Sequence, residues 1–498
     1  MAGAGKTFAL QEVRRGLAIA GHEVIAGAPT TSAAEVLRRE GFSNATTLAD
    51  LLTNAETAHG ARLRGATLIV DEAGIASTRQ GAELCALVRR HDARLILVGD
   101  SRQHSGVEAG DFLSILEKHS RLQTCELTDI RRQTAREYRS AVKLMAQGQA
   151  RAGLTSLDRL GWLNEGGADY VNRAAEHYVG SVAARRDVIL VAPTWEEIHR
   201  LTDAVRIGLK QRELLGEGQV ATVAEPLAWT KAQAERTANY RSGYLLTLHS
   251  TVRQAGLPAG TTVEVIAVAR GSMRVRDGHG REVEVSPSRH AAAWTAAMPR
   301  TIELAPGDRV LIRQNHRAAG LVNGEVLTLA SREPSGAWRA RDAAGREKVL
   351  PADFRAFAHG YAITSHKAQS RTCDEVIVCA ARLDAKATYV AFSRARQQAT
   401  GYTPDKAALF DALPEVNRPR QAALDVWTPA RSRRLRWARL IVERLTELLT
   451  PIVPAPALTV ELPMVKSVAV LRQSAASVDK AVHVRHAPRP APAMRMRF

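Results

Sequence analysis

Short apolar segments alternate with helical patterns over residues 1–130. Apolar positions recur at helical spacing from Phe8 to Ala20. Short apolar runs, bounded by Gly, Pro or Asp, lie at Glu23–Ala28, Thr67–Val70 and Arg94–Val98. Short apolar strands between helices are typical of a buried parallel sheet. The pattern therefore predicts an α/β unit.

A second series of the same kind begins further along the chain. It starts with a strand at Asp187–Val191 and a helix over Trp195–Gln211. It resumes with a strand at Glu375–Ala380 and a helix from Lys386 to Gln397. A second α/β unit, interrupted by an insertion, is predicted.

The insertion has a different pattern. Residues 246–350 are rich in Thr, Val, Gly and Arg and alternate polar with apolar positions, as in Thr262–Val268 and Glu282–Val285. Turn signals lie at Asp277–Gly280 and Asn323–Gly324. Alternation punctuated by such turns predicts a β-rich insert built of small barrels or hairpins.

Charge changes the picture most at the C-terminal end. The 498 residues carry a formal net charge of +18, and Arg418–Phe498 alone holds 15 basic against 5 acidic residues. An excess of this size attracts nucleic acid or anionic lipid. An amphipathic helix is predicted over Leu435–Leu448, and a flexible, proline-rich tail after Pro451. A DNA clamp, a contact for other proteins and a solvated linker all remain open for this tail.

No feature of the sequence predicts secretion or membrane insertion. No apolar run reaches the roughly 18 residues that cross a bilayer, and Glu12, Arg14 and Arg15 interrupt any signal-peptide core. The four cysteines form no C-x-x-C pair and are interpreted as reduced, buried side chains. We expect a cytoplasmic protein.

The first chemical motif is Gly3-Ala4-Gly5-Lys6-Thr7, directly before a helix. A glycine-rich turn at a helix N-terminus brings backbone N–H groups close to phosphate oxygens. Lys6 would reach the β- and γ-phosphates of a nucleotide, and the Thr7 hydroxyl would hold Mg²⁺. The complete pattern requires a glycine five positions before Gly5, which is one position before Met1.

Two further strands end in polar residues. In Leu68–Glu72, Asp71 would organise Mg²⁺ and Glu72 would orient and deprotonate a water molecule. In Leu95–Gln103, Gln103 could sense a γ-phosphate by hydrogen bonding. Taken singly, the first pattern is equally consistent with solvated acids after a strand, and the second with an ordinary strand-to-loop junction.

The order of the motifs carries more information than any one of them. The chain resembles the superfamily 1 helicases of the RecD-like branch, and most of all the helicase half of conjugative relaxase–helicases of the MobF class. The resemblance covers about residues 1–400. Besides the motifs above, it rests on Ile130–Gln133, Ala192–Thr194, Thr364–Gln369 and Tyr389–Arg396, on Val70–Gly74, on Gly99–Gln103 with Val107–Gly110, and on Gly307–Val310 with Val322–Glu325.

This resemblance implies two RecA-like P-loop NTPase domains with ATP in the cleft between them. The first domain would span residues 1–130, and the second 131–245 and 351–413. Residues 246–350 would form an SH3-like insert, and 414–498 a basic helix and partly disordered tail. The resemblance also implies a strand and an adenine-contacting segment before the phosphate loop, so an N-terminally truncated sequence is expected.

The resemblance also implies roles for individual residues. Bound nucleotide and Mg²⁺ would be held by Gly3, Gly5, Lys6, Thr7, Asp71 and Gln369, with Thr7 and Asp71 at the metal. The catalytic residues would be Glu72, Gln103, Arg132 and Arg394. Single-stranded DNA would be contacted by Pro29, Thr30, Thr194, Thr364 and His366. Trp195 is interpreted as a packed residue at a helix start, with stacking on a base as the alternative.

The function implied is ATP-dependent movement, 5′→3′, along single-stranded DNA, in a protein of conjugative transfer. Other transfer proteins are further expected partners. A non-catalytic, DNA-binding or partner-docking remnant is the alternative, because the phosphate-loop domain is incomplete, and an RNA helicase is a third hypothesis. Ser370 replaces the family's usual glycine, which would affect coupling between the ATP and DNA sites.

Overall fold

The computed structural model describes residues 3–55, 59–104, 106, 110–369 and 371–414. The predicted amphipathic helix at Leu435–Leu448, the basic tail and Ser370 lie outside the described residues. So do residues 107–109 of one quoted motif. Within the described part of the chain, no helix is long and apolar enough to cross a membrane.

The chain begins with a parallel sheet of strand order β2-β1-β3-β4. Its strands are β1 Val24–Ala28, β2 Thr46–Thr47, β3 Thr67–Val70 and β4 Arg94–Leu97. The helices around it are α1 Lys6–Ile19, α2 Thr31–Arg39, α3 Leu48–Thr53, α4 Gly60–Leu63, α5 Thr78–Arg90 and α6 Phe112–His119. Strand β3 is buried along its whole length because it pairs with β1 on one side and β4 on the other. Apolar β3 thus brings the acids that follow it to the sheet's carboxyl edge.

The β4 edge of this sheet has no further strand paired to it in the part of the chain that the structure describes. Strand β4 pairs with β3 alone, and its residues are half-buried or exposed. On α1, Phe8 is 66% and Ile19 79% exposed. A strand with one unpaired edge can accept another strand.

The chain then enters a second α/β unit. Its first elements are α7 Arg136–Ala146, α8 Ala150–Arg159, β5 Leu163–Glu165, α9 Tyr170–Ala183, β6 Val188–Val191 and α10 Trp195–Gln211. Helix α10 has the bounds predicted from its periodicity. Its N-cap is Thr194, whose hydroxyl accepts a hydrogen bond from the Glu197 N–H group, which satisfies a donor that the first turn leaves unpaired.

The β-rich insert is longer than the predicted 246–350. It runs from Gln219 to His359 and forms antiparallel sheets of order β11-β10-β9-β8-β12-β7 and β16-β15-β14-β13-β17. Its elements are β7 Gln219–Pro226, α11 Lys231–Ala234, β8 Leu245–Leu248, β9 Thr262–Val268, β10 Met273–Arg276, β11 Glu282–Val285, α12 Pro287–His290, β12 Trp294–Leu304, β13 Arg309–Ile312, β14 Val326–Arg332, β15 Trp338–Arg341, β16 Glu347–Leu350 and β17 Phe357–His359. Strand β7 lies before the predicted start of the insert, and its partner, β12, lies far along the sequence.

The chain finally returns to the second parallel sheet, of order β18-β6-β19-β20-β5. The remaining elements are β18 Ala362–Ile363, α13 Ser365–Ala368, β19 Cys373–Cys379, α14 Ala385–Phe392, β20 Ala395–Thr403 and α15 Lys406–Ala412. The helix predicted from Lys386 to Gln397 was wrong at its end, because residues from Ala395 onwards form β20. That strand pairs with both β19 and β5, and such tertiary pairing overrides local propensity.

A buried carboxylate joins the β-rich insert to the second parallel sheet. Asp308, whose side chain is fully buried, accepts hydrogen bonds from the Arg206 guanidinium at 3.0 and 3.1 Å. It also accepts the Tyr361 hydroxyl at 2.5 Å and the Ala305 N–H group at 2.7 Å. A buried charge satisfied on all sides holds its partners in one geometry, so α10 and the insert are fixed to each other.

Candidate functional site

The phosphate turn is formed by glycines in left-handed conformation. Gly3 has φ +71° and Gly5, the N-cap of α1, has φ +78°. A side chain would be strained at both positions. The Gly3 carbonyl accepts the N–H groups of Arg131 at 2.8 Å and Arg132 at 3.2 Å, so this turn lies against the segment that leads to the second unit. The side chain of Thr7 lies outside the described part of the structure.

Asp71 and Glu72 follow the buried strand β3. Glu72 is held at φ +54°, an unusual conformation for this residue type, and its N–H group donates to Asp71 Oδ1 at 2.8 Å. Burial and the negative charge of Glu72 raise the pKa of Asp71 to about 6, against the opposing effect of Lys6. A nearby cation would stabilise the charged form of the buried Asp71 carboxylate.

Asp100 organises the neighbouring loop. Its Oδ2 accepts hydrogen bonds from Gln103 Nε2 at 3.0 Å and from the Tyr389 hydroxyl at 2.9 Å. Burial would raise the pKa of Asp100, but Lys6 and these two hydrogen bonds lower it below its usual value. Gln103 is buried, and its Oε1 has no hydrogen-bond partner. The amide nitrogen of Gln103 is therefore held by Asp100, while its buried Oε1 has no hydrogen-bond partner among the described residues.

Two groups from the second unit reach Glu72. Gln369 Nε2 donates to Glu72 Oε2 at 3.0 Å, while Gln369 Oε1 is buried without a partner. Arg394 is 2% exposed, and burial lowers its pKa. The negative charge of Glu72 opposes this effect. The acid of the first sheet thus faces an amide and a guanidinium of the second.

The two predicted arginines lie together. Arg394 donates to the Val390 carbonyl at 2.7 Å and to Ser393 Oγ at 2.8 Å, and Arg132 donates to the Ser393 carbonyl at 2.8 Å. Burial and the charge of Arg394 lower the pKa of Arg132 to about 10. Two buried guanidinium groups next to each other repel, which favours an anion between them.

The predicted DNA contacts occupy equivalent positions in the two sheets. Thr30, Thr194 and Thr364 are the N-caps of α2, α10 and α13, and each accepts a backbone N–H group of its helix. Thr194 and Thr364 follow β6 and β18, which are parallel neighbours, so they lie at one sheet edge. Thr30, with half-buried Pro29 before it, follows β1 of the first sheet.

A histidine stack joins the sensor loop to the predicted DNA contact His366. The rings of His104 and His366 lie 3.6 Å apart and 13° from parallel, and His104 Nε2 is 3.0 Å from Ser365 Oγ. Burial and His366 lower the pKa of His104 to about 3, so the ring is neutral. His104 follows Gln103 directly in the sequence, which places it between the two predicted sites.

Three residues of the site were missed from the sequence. Asp100 and Tyr389 lie within quoted motifs but were given no role, although an acid next to a predicted sensor was a usable signal. For His104 no signal existed, because its partners lie 261 or more residues away. The interpretation of Trp195 as a packed residue was wrong, since it is 42% exposed.

Comparison with known proteins agrees with this geometry. Residues 1–168 match the family model described as an AAA domain. The chain is 24% identical over 435 residues to conjugal transfer protein TraA of Rhizobium radiobacter, which covers 84% of the chain and 32% of that protein. It is also 24% identical over 417 residues to TraA of Agrobacterium fabrum, with 82% and 31% coverage. The predicted resemblance is confirmed.

The chain thus resembles proteins of conjugal transfer over most of its length, and an AAA domain over residues 1–168. The match to the AAA family supports nucleotide binding. The chain spans about a third of the length of the TraA relatives, at 32% and 31%.

Helicases are among the solved structures that are similar to this chain. A Pif1 helicase structure concerned with unwinding of forked double-stranded DNA has a TM-score of 0.46 at 17% identity, covering 82% of this chain and 90% of that one. Pif1 of Candida albicans has a TM-score of 0.39 at 16% identity, with 81% and 90% coverage.

Proposed function

We propose that the chain is an ATP-dependent helicase module that moves 5′→3′ on single-stranded DNA within a conjugal transfer protein in the cytoplasm. The observation that carries the proposal is the hydrogen bond from Gln369 to Glu72, which joins the two parallel-sheet units, with buried Arg394 within electrostatic range of the same carboxylate. Such a site is complete only when both units are in place, which is what coupling of turnover to domain movement requires. This proposal keeps the predicted order of domains, with the insert extended to residues 219–359 and the second RecA-like domain correspondingly limited to 131–218 and 360–413.

The residues present fit ATP and Mg²⁺. Lys6 lies at the helix N-terminus after a left-handed glycine, as a phosphate site needs. Burial beside Glu72 raises the pKa of Asp71, and a bound cation would favour its charged form. Asp71 and the Thr7 hydroxyl would hold Mg²⁺, which would supply neutralisation of phosphate charge.

Each residue at Glu72 has a definite task in this proposal. The Glu72 carboxylate takes one proton from the attacking water, and Gln369 Oε1 accepts a hydrogen bond from the water's other O–H group, which stays on the nucleophile. Arg132 and Arg394 neutralise charge that develops on the transferred phosphoryl group. Gln103, held by Asp100, senses the γ-phosphate, so that its loop differs between the ATP and ADP states.

The proposal predicts that single-stranded DNA stimulates ATP turnover. Phosphate release from Mg²⁺-ATP should rise when oligo(dT) is added to the purified chain, because DNA contacts on both sheets bring the units together around Glu72. Oligo(rU) of equal length is the matched control that separates a DNA from an RNA helicase. Folded protein that releases no phosphate with either strand would contradict the proposal.

The histidine stack gives a second prediction. His104→Ala should reduce the factor by which DNA stimulates turnover, because the ring joins the sensor loop to Ser365 and His366. Residues within such a connection change coupling by about 0.5–2 kcal/mol, or roughly two- to thirtyfold. The ratio of rates with and without oligo(dT) measures it. His279→Ala, at an exposed turn, is the control, and an unchanged ratio in His104→Ala would rule the connection out.

A non-catalytic, DNA-binding remnant is the second candidate. The open edge of β4 and the exposed Phe8 of α1 favour it, because the sheet that carries Lys6 and Asp71 has an unpaired side among the described residues. It predicts DNA binding that weakens steeply with salt and no phosphate release. The turnover assay above therefore decides between the two candidates.

A further inference from the structure

Trp195 is placed unusually for a tryptophan at a helix start. It is the first residue of α10, directly after Thr194, and is 42% exposed. The guanidinium carbon of Arg313 lies over its ring, 4.5 Å from the centroid. Arg313 follows β13 of the insert, so an indole of the second parallel-sheet unit and a cation of the β-rich insert make one surface.

Positive charge collects around this pair. Burial, together with the charges of Arg313 and Arg371, lowers the pKa of Lys367 to about 8. Arg371 is anchored by a hydrogen bond to the Gly324 carbonyl at 3.2 Å. Crowded cations repel at a cost that an anion between them removes.

Three acids, Asp203, Glu225 and Glu303, also line this region, and Glu225 has partners. Glu225 accepts a hydrogen bond from Arg300 at 3.1 Å and lies 3.3 Å from His199 Nε2. These residues, with Trp195 and Arg313, line a cavity of about 260 Å³. The cavity is below the roughly 300–1,000 Å³ of sites for drug-sized ligands, which suits one flat ring better than a whole nucleotide.

We propose that Trp195 and Arg313 form a base-stacking platform on the path of single-stranded DNA. One base stacks on the exposed part of the indole, while Arg313 and Lys367 contact the phosphates on either side. The platform rests on the proposed function, and it adds a contact to bases where the capping threonines contact the backbone. Since every base has an aromatic face, such a contact holds any sequence, as a translocating protein requires.

Stacking also explains why the ring is held from one side. The Arg313 guanidinium fixes the indole's orientation before DNA arrives, which lowers the entropy lost on binding. Thr194, next to Trp195, caps α10 and keeps the helix start in one geometry. Base and backbone contacts would therefore move together when the second unit moves.

The test compares two ligands and three proteins. Binding of labelled oligo(dT), and of the same length of abasic strand, is measured by anisotropy for the full chain, Trp195→Ala and Trp195→Phe. Loss of one stacked base should weaken oligo(dT) binding by Trp195→Ala about five- to 150-fold. Trp195→Phe should keep most of the affinity, and the abasic strand should bind wild type and Trp195→Ala equally. Val349→Ala, an exposed apolar truncation in the insert, is the control.

The outcomes separate this inference from the proposed function. Equal oligo(dT) affinity for wild type and Trp195→Ala, with DNA-stimulated turnover intact, overturns the platform alone. Equal weakening for both ligands also overturns it, because that shows a structural role. A wild-type chain that binds neither strand overturns the proposed function as well. Independently, Arg313→Gln should reduce the slope of log affinity against log salt by roughly 0.7, the value for one phosphate contact on a single strand.

Discussion

Replacement of Arg394 by alanine is expected to reduce DNA-stimulated ATP turnover by about 10³- to 10⁵-fold, the range of arginines that act on transferred phosphoryl groups. The Arg394 side chain is fully buried and faces Glu72, so its charge acts in a medium that screens it weakly. Its planar fork can neutralise two phosphoryl oxygens at once. Phosphate release at saturating ATP and oligo(dT) measures the loss, while the affinity for a fluorescent ADP analogue should change little.

Two further variants separate charge from geometry and from folding. Arg394→Lys keeps the charge but loses the fork, and it should recover a small part of the rate. Arg396→Ala removes an exposed arginine two positions away, whose partner is Asp374 at 2.8 Å, and should leave turnover near wild type. Thermal melting of each variant reports its fold. An Arg394→Ala protein that is folded and turns over normally would remove this residue from the site.

The local sequence pattern was enough to predict strand β3 and helix α10. Strand β3 has the predicted bounds, because a threonine and three apolar residues followed by two acids leave few alternatives to a buried parallel strand. The same holds for α10, whose 17 residues carry a regular apolar face from Ile198 to Leu209. In both, the information lies within the element itself.

Prediction was wrong where pairing across the sequence decides the structure. Strand β20 begins with Ala395-Arg396-Gln397, which suits a helix, yet its place between β19 and β5 requires an extended chain. Strand β7 pairs with β12, which lies far along the sequence, so that Pro226 is opposite Ala297. Cys125, predicted to be buried with the other cysteines, is exposed. Each depends on neighbours that no local window contains.

In the candidate site, too, local sequence predicts some positions, whereas contacts between distant residues escape it. The positions of Asp71 and Glu72 at a sheet edge could be predicted from the strand before them. The contact of Gln369 with Glu72 joins residues 297 positions apart, so it could enter the prediction only through the family's motif order. The His104 stack and the exposure of Trp195 had neither source, because both arise where separate units meet.

Substitution of Glu72 by glutamine should reduce ATP turnover by about 10²- to 10⁴-fold, the usual contribution of a positioned general base. The carboxylate has 9% exposure and accepts Gln369 Nε2 at 3.0 Å, so it is aimed rather than free to rotate. Glutamine has the same shape and can keep this hydrogen bond through Oε1, but its amide cannot take a proton from water. Nucleotide binding should therefore be retained while the chemical step is lost. Single-turnover phosphate release, with the binding of a fluorescent ATP analogue, measures the two separately.

Glu72→Gln changes the chemistry of the side chain while it leaves the backbone conformation of this position unchanged. Both side chains adopt the left-handed backbone of this position equally, so the strain at φ +54° is common to wild type and variant. Glu83→Gln makes the same chemical change on the exposed face of α5 and should turn over normally. If Glu72→Gln binds ATP and also hydrolyses it at the wild-type rate, the base lies elsewhere, and Glu72 serves to hold Gln369 and Arg394 in place. If Glu72→Gln binds ATP without hydrolysing it, and its affinity for single-stranded DNA stays constant over time, Glu72 couples ATP turnover to movement on DNA.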